Sequence, residues 1–148
     1  MAVFQVFQQG NYILVEKDLI NKYLGFPYKH QGRDVNGVDC WGLIKLVYKD
    51  FLNVDLLDTK EDYANDWAVQ GKNYFIENYY KEWDKTENPI LLDIVLFKNI
   101  NGIANHAGLY LSQNKILHTC KLGTIITKLN SFNLFKLTLE GFYRYKNK

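Results

Sequence analysis

Three side chains in this sequence are of the types that carry out nucleophilic acyl transfer: Cys40, His106 and His118. Cys40 begins an amphipathic stretch at 39–52, where Asp39 has the right type and position to cap a helix. A thiol at a helix N-terminus lies near the positive end of the helix dipole, which favours the thiolate, whereas the Asp39 carboxylate opposes it. Cys40 is therefore a candidate nucleophile, with an inert buried cysteine as the alternative.

The two histidines fall on consecutive segments with strand-like alternation, 104–112 and 115–120. The alternation places His106 and Gly108 on the face opposite the apolar one, and the glycine leaves room beside the imidazole. A nucleophile, a base and a residue that orients the base are the parts of a catalytic triad. We expect His106 to be the base and His118 to orient it. Two half-exposed histidines on a hairpin are the alternative.

This role for His118 constrains the hairpin, because both imidazoles must lie on one face. A two-residue turn at 113–114 would put them on opposite faces, since a one-residue slip reverses every side chain. We therefore predict a loop with an odd number of residues, or a bulge. Direct pairing of His106 with His118 would centre the hairpin on Ser112, with a loop at 110–114.

The elements that must position these residues come in the order helices, then strands. Helical patterns occupy 16–24 and 39–52, and residues 61–86 are expected to form one or two irregular helices. From Pro89 onward, short segments alternate or are rich in β-branched and aromatic residues, which predicts strands. The sequence thus indicates an α+β domain, in which the helix that begins at Cys40 packs against the later strands. The predicted strands are 92–98, 104–112, 115–120, 123–129 and 141–145.

Composition excludes several classes of function. The chain has 148 residues, enough for one domain, with 47% hydrophobic and 23% charged residues. Its basic residues are mostly scattered lysines, so we expect no nucleic-acid binding. No stretch is long and apolar enough for a membrane span, and the first residues do not resemble a secretory signal. Two cysteines make neither a disulfide framework nor a zinc site, and we expect no metal or cofactor.

Four segments, taken in order, resemble the NlpC family of papain-like cell-wall cysteine peptidases. The first is 28–44, with the sequence YKHQGRDVNGVDCWGLI, and the others are 93–97, 106–111 and 115–118. The resemblance extends over residues 16–145. It implies a papain-like NlpC-type α+β fold, in which N-terminal helices pack on a C-terminal antiparallel sheet or half-barrel.

The same resemblance implies a role for each site residue. Cys40 would be the nucleophile, His106 the general base and His118 the residue that orients it. Tyr28 would lie near the oxyanion and the substrate, and Asp39 would hold a free amine of the substrate.

The substrate implied by the resemblance is the stem peptide of peptidoglycan, often cut next to a D-amino acid. Trp41 stands where members that recycle cell wall commonly have Ser, so strict specificity for a free N-terminal L-Ala is not expected. The motifs Gly-Arg-Asp at 32–34 and Asp-Cys-Trp-Gly-Leu at 39–43 resemble the branch found in phage tails and phage-derived particles. This branch implies a virion-tail location after synthesis in the host cytoplasm, other tail-tip proteins as partners, and action on the cell wall or periplasm.

Two other functions stay open: a structural tail-tip subunit with a vestigial peptidase site, and an amidase or acyltransferase on the same fold. The complete triad favours activity. We expect a single cysteine peptidase domain over 1–148. Within it, residues 1–12 are expected to form an extension or contact arm, and 58–88 a wall or lid over the groove.

Overall fold

A computed structural model of the protein describes residues 12–56 and 82–146. Helices come first and a large sheet follows, which confirms the predicted α+β order. Residues 1–11 of the expected arm and most of the expected lid at 58–88 lie outside the described residues. In chain order the elements are α1 (Tyr12–Tyr23), β1 (Arg33–Asp34), β2 (Gly37–Val38), α2 (Cys40–Leu52), β3 (Trp83–Thr86), β4 (Ile94–Lys98), β5 (Ala104–Tyr110), β6 (Lys115–Cys120), β7 (Gly123–Lys128), a 3-10 helix (Leu129–Phe135) and β8 (Thr138–Tyr145).

The helix α2 begins at Cys40, as predicted, with Asp39 as its N-cap. Its apolar side chains follow helical spacing and are buried against the sheet, together with Leu19 and Tyr23 of α1. Asn53 ends the helix in the left-handed conformation, with φ 54°. This burial fixes the end of the helix that carries Cys40. The buried residues of α2 are Trp41, Gly42, Leu43, Ile44, Val47, Tyr48 and Leu52.

The sheet has six antiparallel strands in the order β3-β8-β4-β5-β6-β7. The prediction of helix up to residue 86 is wrong for the last residues of that segment, because 83–86 form an edge strand paired with β8. The strand is held by Trp83, whose indole packs edge-to-face on Tyr48 and Tyr145 at centroid distances of 5.5 and 5.1 Å. Helical spacing in the Tyr- and Trp-rich segment at 61–86 gave no indication that Trp83 would pack against rings from α2 and β8.

The sheet is covered on both faces near its centre, where β4 lies. Ile94 and Leu96 belong to the core beneath the helices, whereas Val95 and Phe97 belong to a second cluster. The second cluster is closed by the 3-10 helix, whose Phe132 ring stacks on Phe97 at 3.9 Å. Sequence reasoning did not predict this short helix. It matters because it covers the face on which the two histidines lie.

The hairpin of β5 and β6 has an odd loop, as predicted, but its centre is shifted. Leu109 pairs with Leu117, which centres the hairpin on Gln113. The histidines therefore do not pair directly, since direct pairing would centre the hairpin on Ser112. Gln113 and Asn114 both adopt the left-handed conformation, with φ values of 58° and 56°, and close a shorter loop. The register puts His118 beside Gly108 and therefore on the same face as the other histidine.

Three glycines let the loop before α2 lie directly on the start of that helix. A Cβ at Gly42 would be 2.0 Å from the carbonyl oxygen of Gly32, and one at Gly32 would be 2.2 Å from the carbonyl oxygen of Gly37. Both obstacles are backbone atoms, which cannot rotate away. The small hairpin β1-β2 and the N-terminus of α2 therefore form one packed unit.

We predict that Gly42→Ala destabilises the fold, although alanine is the better helix former by about 1 kcal/mol. The clash with the Gly32 carbonyl outweighs this gain, and we expect a net loss of about 2 kcal/mol in the free energy of unfolding. Chemical denaturation measures the difference. Lys49→Ala, an exposed change in the same helix, is the control and should stay within about 0.5 kcal/mol. A stabilised Gly42→Ala variant would contradict the packing described here.

Candidate active site

Asp39 holds the start of α2 and the preceding loop together through both carboxylate oxygens. Its Oδ1 accepts hydrogen bonds from the Gly42 N–H at 2.8 Å and from the Arg33 guanidinium at 2.9 Å. Its Oδ2 accepts one from the Gln31 N–H at 2.9 Å. The predicted capping role is thus confirmed, while the ion pair with Arg33 was not predicted. Arg33 and Asp39 are 6 residues apart in a loop region, and neither helical nor strand spacing brings such residues together. No sequence pattern therefore indicated their contact.

Cys40 is the first residue of α2, and its side chain is half-buried. Burial, together with the Asp39 carboxylate, raises the pKa of the Cys40 thiol to about 12. Hydrogen bonds from the backbone of Ala107 and of Trp41 lower this pKa, as does the positive charge of Arg33. The expected stabilisation of the thiolate by the helix terminus is therefore present but outweighed. The thiol of the free protein is protonated at neutral pH.

The two predicted histidines are brought into direct contact. Nε2 of His106 lies 2.8 Å from Nδ1 of His118, and the rings meet edge-to-face at an angle of 84°. Gly108 makes room for this, because a Cβ at that position would be 3.1 Å from the Cβ of His118. Nε2 of His106 is thus engaged with His118, which leaves Nδ1 as the other ring nitrogen. The predicted roles of base and orienting residue require such a contact.

Both imidazoles lie in an apolar environment formed by phenylalanine rings. The ring of Phe132 is 4.7 Å from that of His118, and Phe97 is 6.1 Å from His106. Burial lowers the pKa of His106 to about 4, and burial together with the neighbouring imidazole lowers the pKa of His118 to about 3. Both rings are therefore neutral at pH 7, so each has one donor and one acceptor nitrogen.

A fourth polar residue, Thr127 of β7, continues the chain of hydrogen bonds. Its Oγ1 lies 2.8 Å from Nε2 of His118. Sequence reasoning missed this threonine. The alternation of β7 could have placed it on the histidine face, but its partner depended on the strand order and register.

The thiol contacts the first half of β5, next to His106 in the chain. The Ala107 N–H that bonds the thiol follows His106 directly in the chain. The ladder between β5 and β6 ends at Leu109, so Ala107 lies beyond the part of β5 that pairs with β6. The structure thus brings Cys40 to the strand that carries His106.

The two remaining predicted site residues differ in exposure. Tyr28 is 37% exposed and forms a bridge with Val38. Its pKa is raised by burial, by the negative charge of Asp39 and, once the thiol is ionised, by that of Cys40. Its phenol is therefore a hydrogen-bond donor at neutral pH, as an oxyanion ligand must be. Trp41 is 3% exposed and packs in the core beneath the helices.

Within 12–56 and 82–146, no three His, Cys, Asp or Glu side chains are grouped so that they could hold a metal ion. No helix in these ranges has the length and apolarity that crossing a membrane requires.

We predict that Asp39→Asn lowers the pKa of Cys40, because it removes a negative charge and leaves the Arg33 charge uncompensated. A change of about one pH unit is expected for a neighbouring charge. The pH dependence of Cys40 alkylation by iodoacetamide, followed by peptide mass spectrometry, measures it.

Arg33→Gln should move the same pH dependence in the opposite direction. Asp34→Asn is the matched control, since Asp34 is an exposed carboxylate in the same loop and its charge is screened by solvent. An alkylation profile that moves to higher pH in Asp39→Asn would contradict the electrostatics described here.

Comparison with known proteins agrees with this geometry. Residues 25–140 match the model of the NlpC/P60 family. A protein of the NLP/P60 family from Staphylococcus aureus, described as similar to lipoprotein, superposes with a TM-score of 0.66 at 23% identity, over 95% of this chain and 43% of its own. An NlpC/P60 family protein from Bacillus cereus gives 0.62 at 20% identity, over 88% and 40%. The NlpC/p60 domain of the peptidoglycan hydrolase SagA gives 0.55 at 18% identity, over 90% and 97%.

The chain thus spans less than half the length of the staphylococcal and B. cereus proteins, and nearly all of the SagA domain. At these identities the superpositions establish the fold. No curated protein matches the chain significantly. Because the family match covers most of the sequence, including Cys40, His106 and His118, the protein belongs to the NlpC/P60 family.

Proposed function

We propose that this protein is a cysteine endopeptidase that cleaves the stem peptides of peptidoglycan. The observation that carries the proposal is the 2.8 Å contact between His106 Nε2 and His118 Nδ1, on the strand whose Ala107 N–H bonds Cys40. A thiol at a helix terminus, a neutral imidazole and a second residue that orients it are the parts needed for acyl transfer. The name of the similar SagA domain, a peptidoglycan hydrolase, supports the substrate class.

In the proposed reaction, His106 acts as a general base on a protonated thiol. As Sγ of Cys40 attacks the scissile carbonyl carbon, Nδ1 of His106 takes the thiol proton. The imidazolium then gives this proton to the leaving amine, the C–N bond breaks, and a thioester remains on Cys40. A water molecule loses a proton to His106 and hydrolyses the thioester, which restores the thiol and releases the acid.

The negative charge on the carbonyl oxygen would be stabilised at the start of α2. The Gly42 and Leu43 N–H groups of the first helical turn are taken by Asp39, whereas the Trp41 N–H bonds the sulfur itself and is the backbone donor nearest to this position. The exposed Tyr28 phenol supplies a second kind of donor. One such donor contributes about 3 kcal/mol to transition-state stabilisation.

The binding of the substrate's amino end is part of the same proposal. Asp39 is the acidic residue proposed to face a free amine, and its carboxylate is 6% exposed and already bonded to three donors. It would therefore act on the substrate through the field of a fixed charge. Trp41 would shape the site from beneath, since it is buried under the helix terminus.

We further propose that the protein works in a phage tail, with other tail-tip proteins as partners and the bacterial cell wall as its target. The support is the sequence motif of Gly-Arg-Asp at 32–34 and Asp-Cys-Trp-Gly-Leu at 39–43. Fractionation of phage particles from the source of the sequence, followed by mass spectrometry, tests this location. Absence of the chain from intact tails would contradict it.

We predict that Cys40→Ala and His106→Ala abolish release of peptides from purified peptidoglycan, by at least about 10³-fold. Cys120→Ala is the matched control, because Cys120 is an equally half-buried thiol at the far end of β6. Its activity should equal that of the wild type. Mass spectrometry of the products from defined muropeptides gives both the rate and the bond that is cut.

The same experiment separates the other functions. Hydrolysis of a bond outside the stem peptide would identify an amidase, and transfer of the acyl group to an added amine would identify an acyltransferase. No turnover by the folded wild-type protein would indicate a structural subunit with a vestigial site. Full activity in Cys40→Ala would contradict the proposed nucleophile.

A further inference from the structure

The register between β6 and β7 places Thr127 beside His118. His118 pairs with Ile125, and Thr127 lies two residues farther along β7, so both side chains share one face of the sheet. The hydroxyl oxygen is 2.8 Å from Nε2, the imidazole nitrogen that faces away from His106. Thr127 therefore contacts the second histidine and lies one step farther from the reacting atoms than that histidine.

The direction of the hydrogen bonds follows from the chemistry of a neutral imidazole. For His106 to take a proton on Nδ1, its own proton must be on Nε2, where it is donated to Nδ1 of His118. His118 must then carry its proton on Nε2, which is the nitrogen that faces Thr127. The working arrangement thus requires Thr127 Oγ1 to accept a hydrogen bond.

The reverse direction would inactivate the base. If His118 carried its proton on Nδ1, it would donate to Nε2 of His106, and His106 would then be protonated on Nδ1. That nitrogen could no longer accept the thiol proton. The choice between the two tautomers therefore decides whether His106 is competent.

The surroundings of His118 make the threonine the group that biases this choice. His118 has no exposed surface, and the rings of Phe132 and Phe135 lie 4.7 and 5.6 Å from it. A buried N–H without an acceptor is strongly unfavourable. The hydroxyl can accept from Nε2–H or donate to an unprotonated Nε2, so its presence permits the productive tautomer. Its loss would leave a buried Nε2–H without a partner and would favour the unproductive tautomer.

We propose that Thr127 is a positioning residue whose hydroxyl accepts the Nε2–H of His118, and that without it His118 shifts to the tautomer that prevents Nδ1 of His106 from acting as the base. This inference rests on the proposed peptidase function. It adds a residue to the triad that acts through His118 and does not touch the substrate.

The test compares Thr127→Val with Thr127→Ser. Valine keeps the shape but removes the acceptor, so we expect kcat to fall about tenfold, with KM changed less than twofold. Serine restores the acceptor and should recover most of kcat. In parallel, ¹⁵N NMR of the histidine side chains reports the tautomer of His118 directly. The wild type and Thr127→Ser should show Nε2–H, and Thr127→Val should show loss of this state.

Thr124→Val is the matched control on the same strand. Thr124 is buried, and its hydroxyl bonds Thr119 at 2.7 Å on the other face of the sheet. Its replacement also removes a hydroxyl from a hydrogen-bonded pair, so it should lower stability without changing kcat or the His118 tautomer. This control separates a loss of stability from a loss of positioning.

Two results would overturn the inference. One is an active wild type whose kcat is unchanged by Thr127→Val. The other is a wild-type His118 that carries its proton on Nδ1. If the folded wild type does not hydrolyse stem peptides, the proposed function fails, and the NMR comparison of wild type with Thr127→Val decides by itself whether Thr127 sets the tautomer.

Discussion

The geometry of the site depends on one carboxylate, that of Asp39. It caps the helix that carries Cys40, holds the preceding loop through the Gln31 N–H, and pairs with Arg33. These contacts join two segments whose backbones touch at Gly32 and Gly42. Because a helix end is otherwise free to fray, the thiol has a defined position only while these contacts persist.

The same charge works against the reactivity of the thiol that it positions. Asp39 and burial both raise the pKa of Cys40, and Arg33 compensates in part. Burial also keeps His106 and His118 neutral. In the free protein the site therefore favours a protonated thiol and neutral imidazoles. It suits a reaction in which the proton moves from sulfur to His106 as the substrate carbonyl is attacked.

The two imidazoles stay neutral because the face of the sheet on which they lie is covered. The 3-10 helix brings Phe132 over His118, which excludes water from the contact between the two rings. In a wet site, water would compete for each ring nitrogen and the direction of the hydrogen bonds would not be set by the protein. The Phe132 ring over His118 and the hydrogen bonds from His106 through His118 to Thr127 therefore depend on each other.

Sequence patterns were sufficient for features that depend on local periodicity. The helix from Cys40, its Asp39 cap and the shared face of the two histidines all follow from side-chain spacing. The exact register of the hairpin does not follow from spacing. It depends on the left-handed conformation of Gln113 and Asn114, which shortens the loop and which the residue types alone do not specify.

Features that depend on contacts between distant segments were also missed. Arg33 with Asp39, Trp83 with Tyr145, and Thr127 with His118 each need a strand order or a loop path that spacing does not encode. The net shift in the pKa of Cys40 could not be predicted from the sequence for a related reason. It is the sum of burial and several charges, and burial is a property of the whole packed structure.

The most direct measurement is covalent capture of the nucleophile by a substrate-like electrophile. A stem peptide with an acyloxymethyl ketone in place of the scissile bond would be incubated with the wild-type protein, and the modified residue identified by mass spectrometry. We expect one adduct per chain, on Cys40, with loss of hydrolytic activity in proportion, and much slower labelling in His106→Ala. Labelling of Cys120 with Cys40 unmodified, or labelling that is independent of His106, would contradict the account.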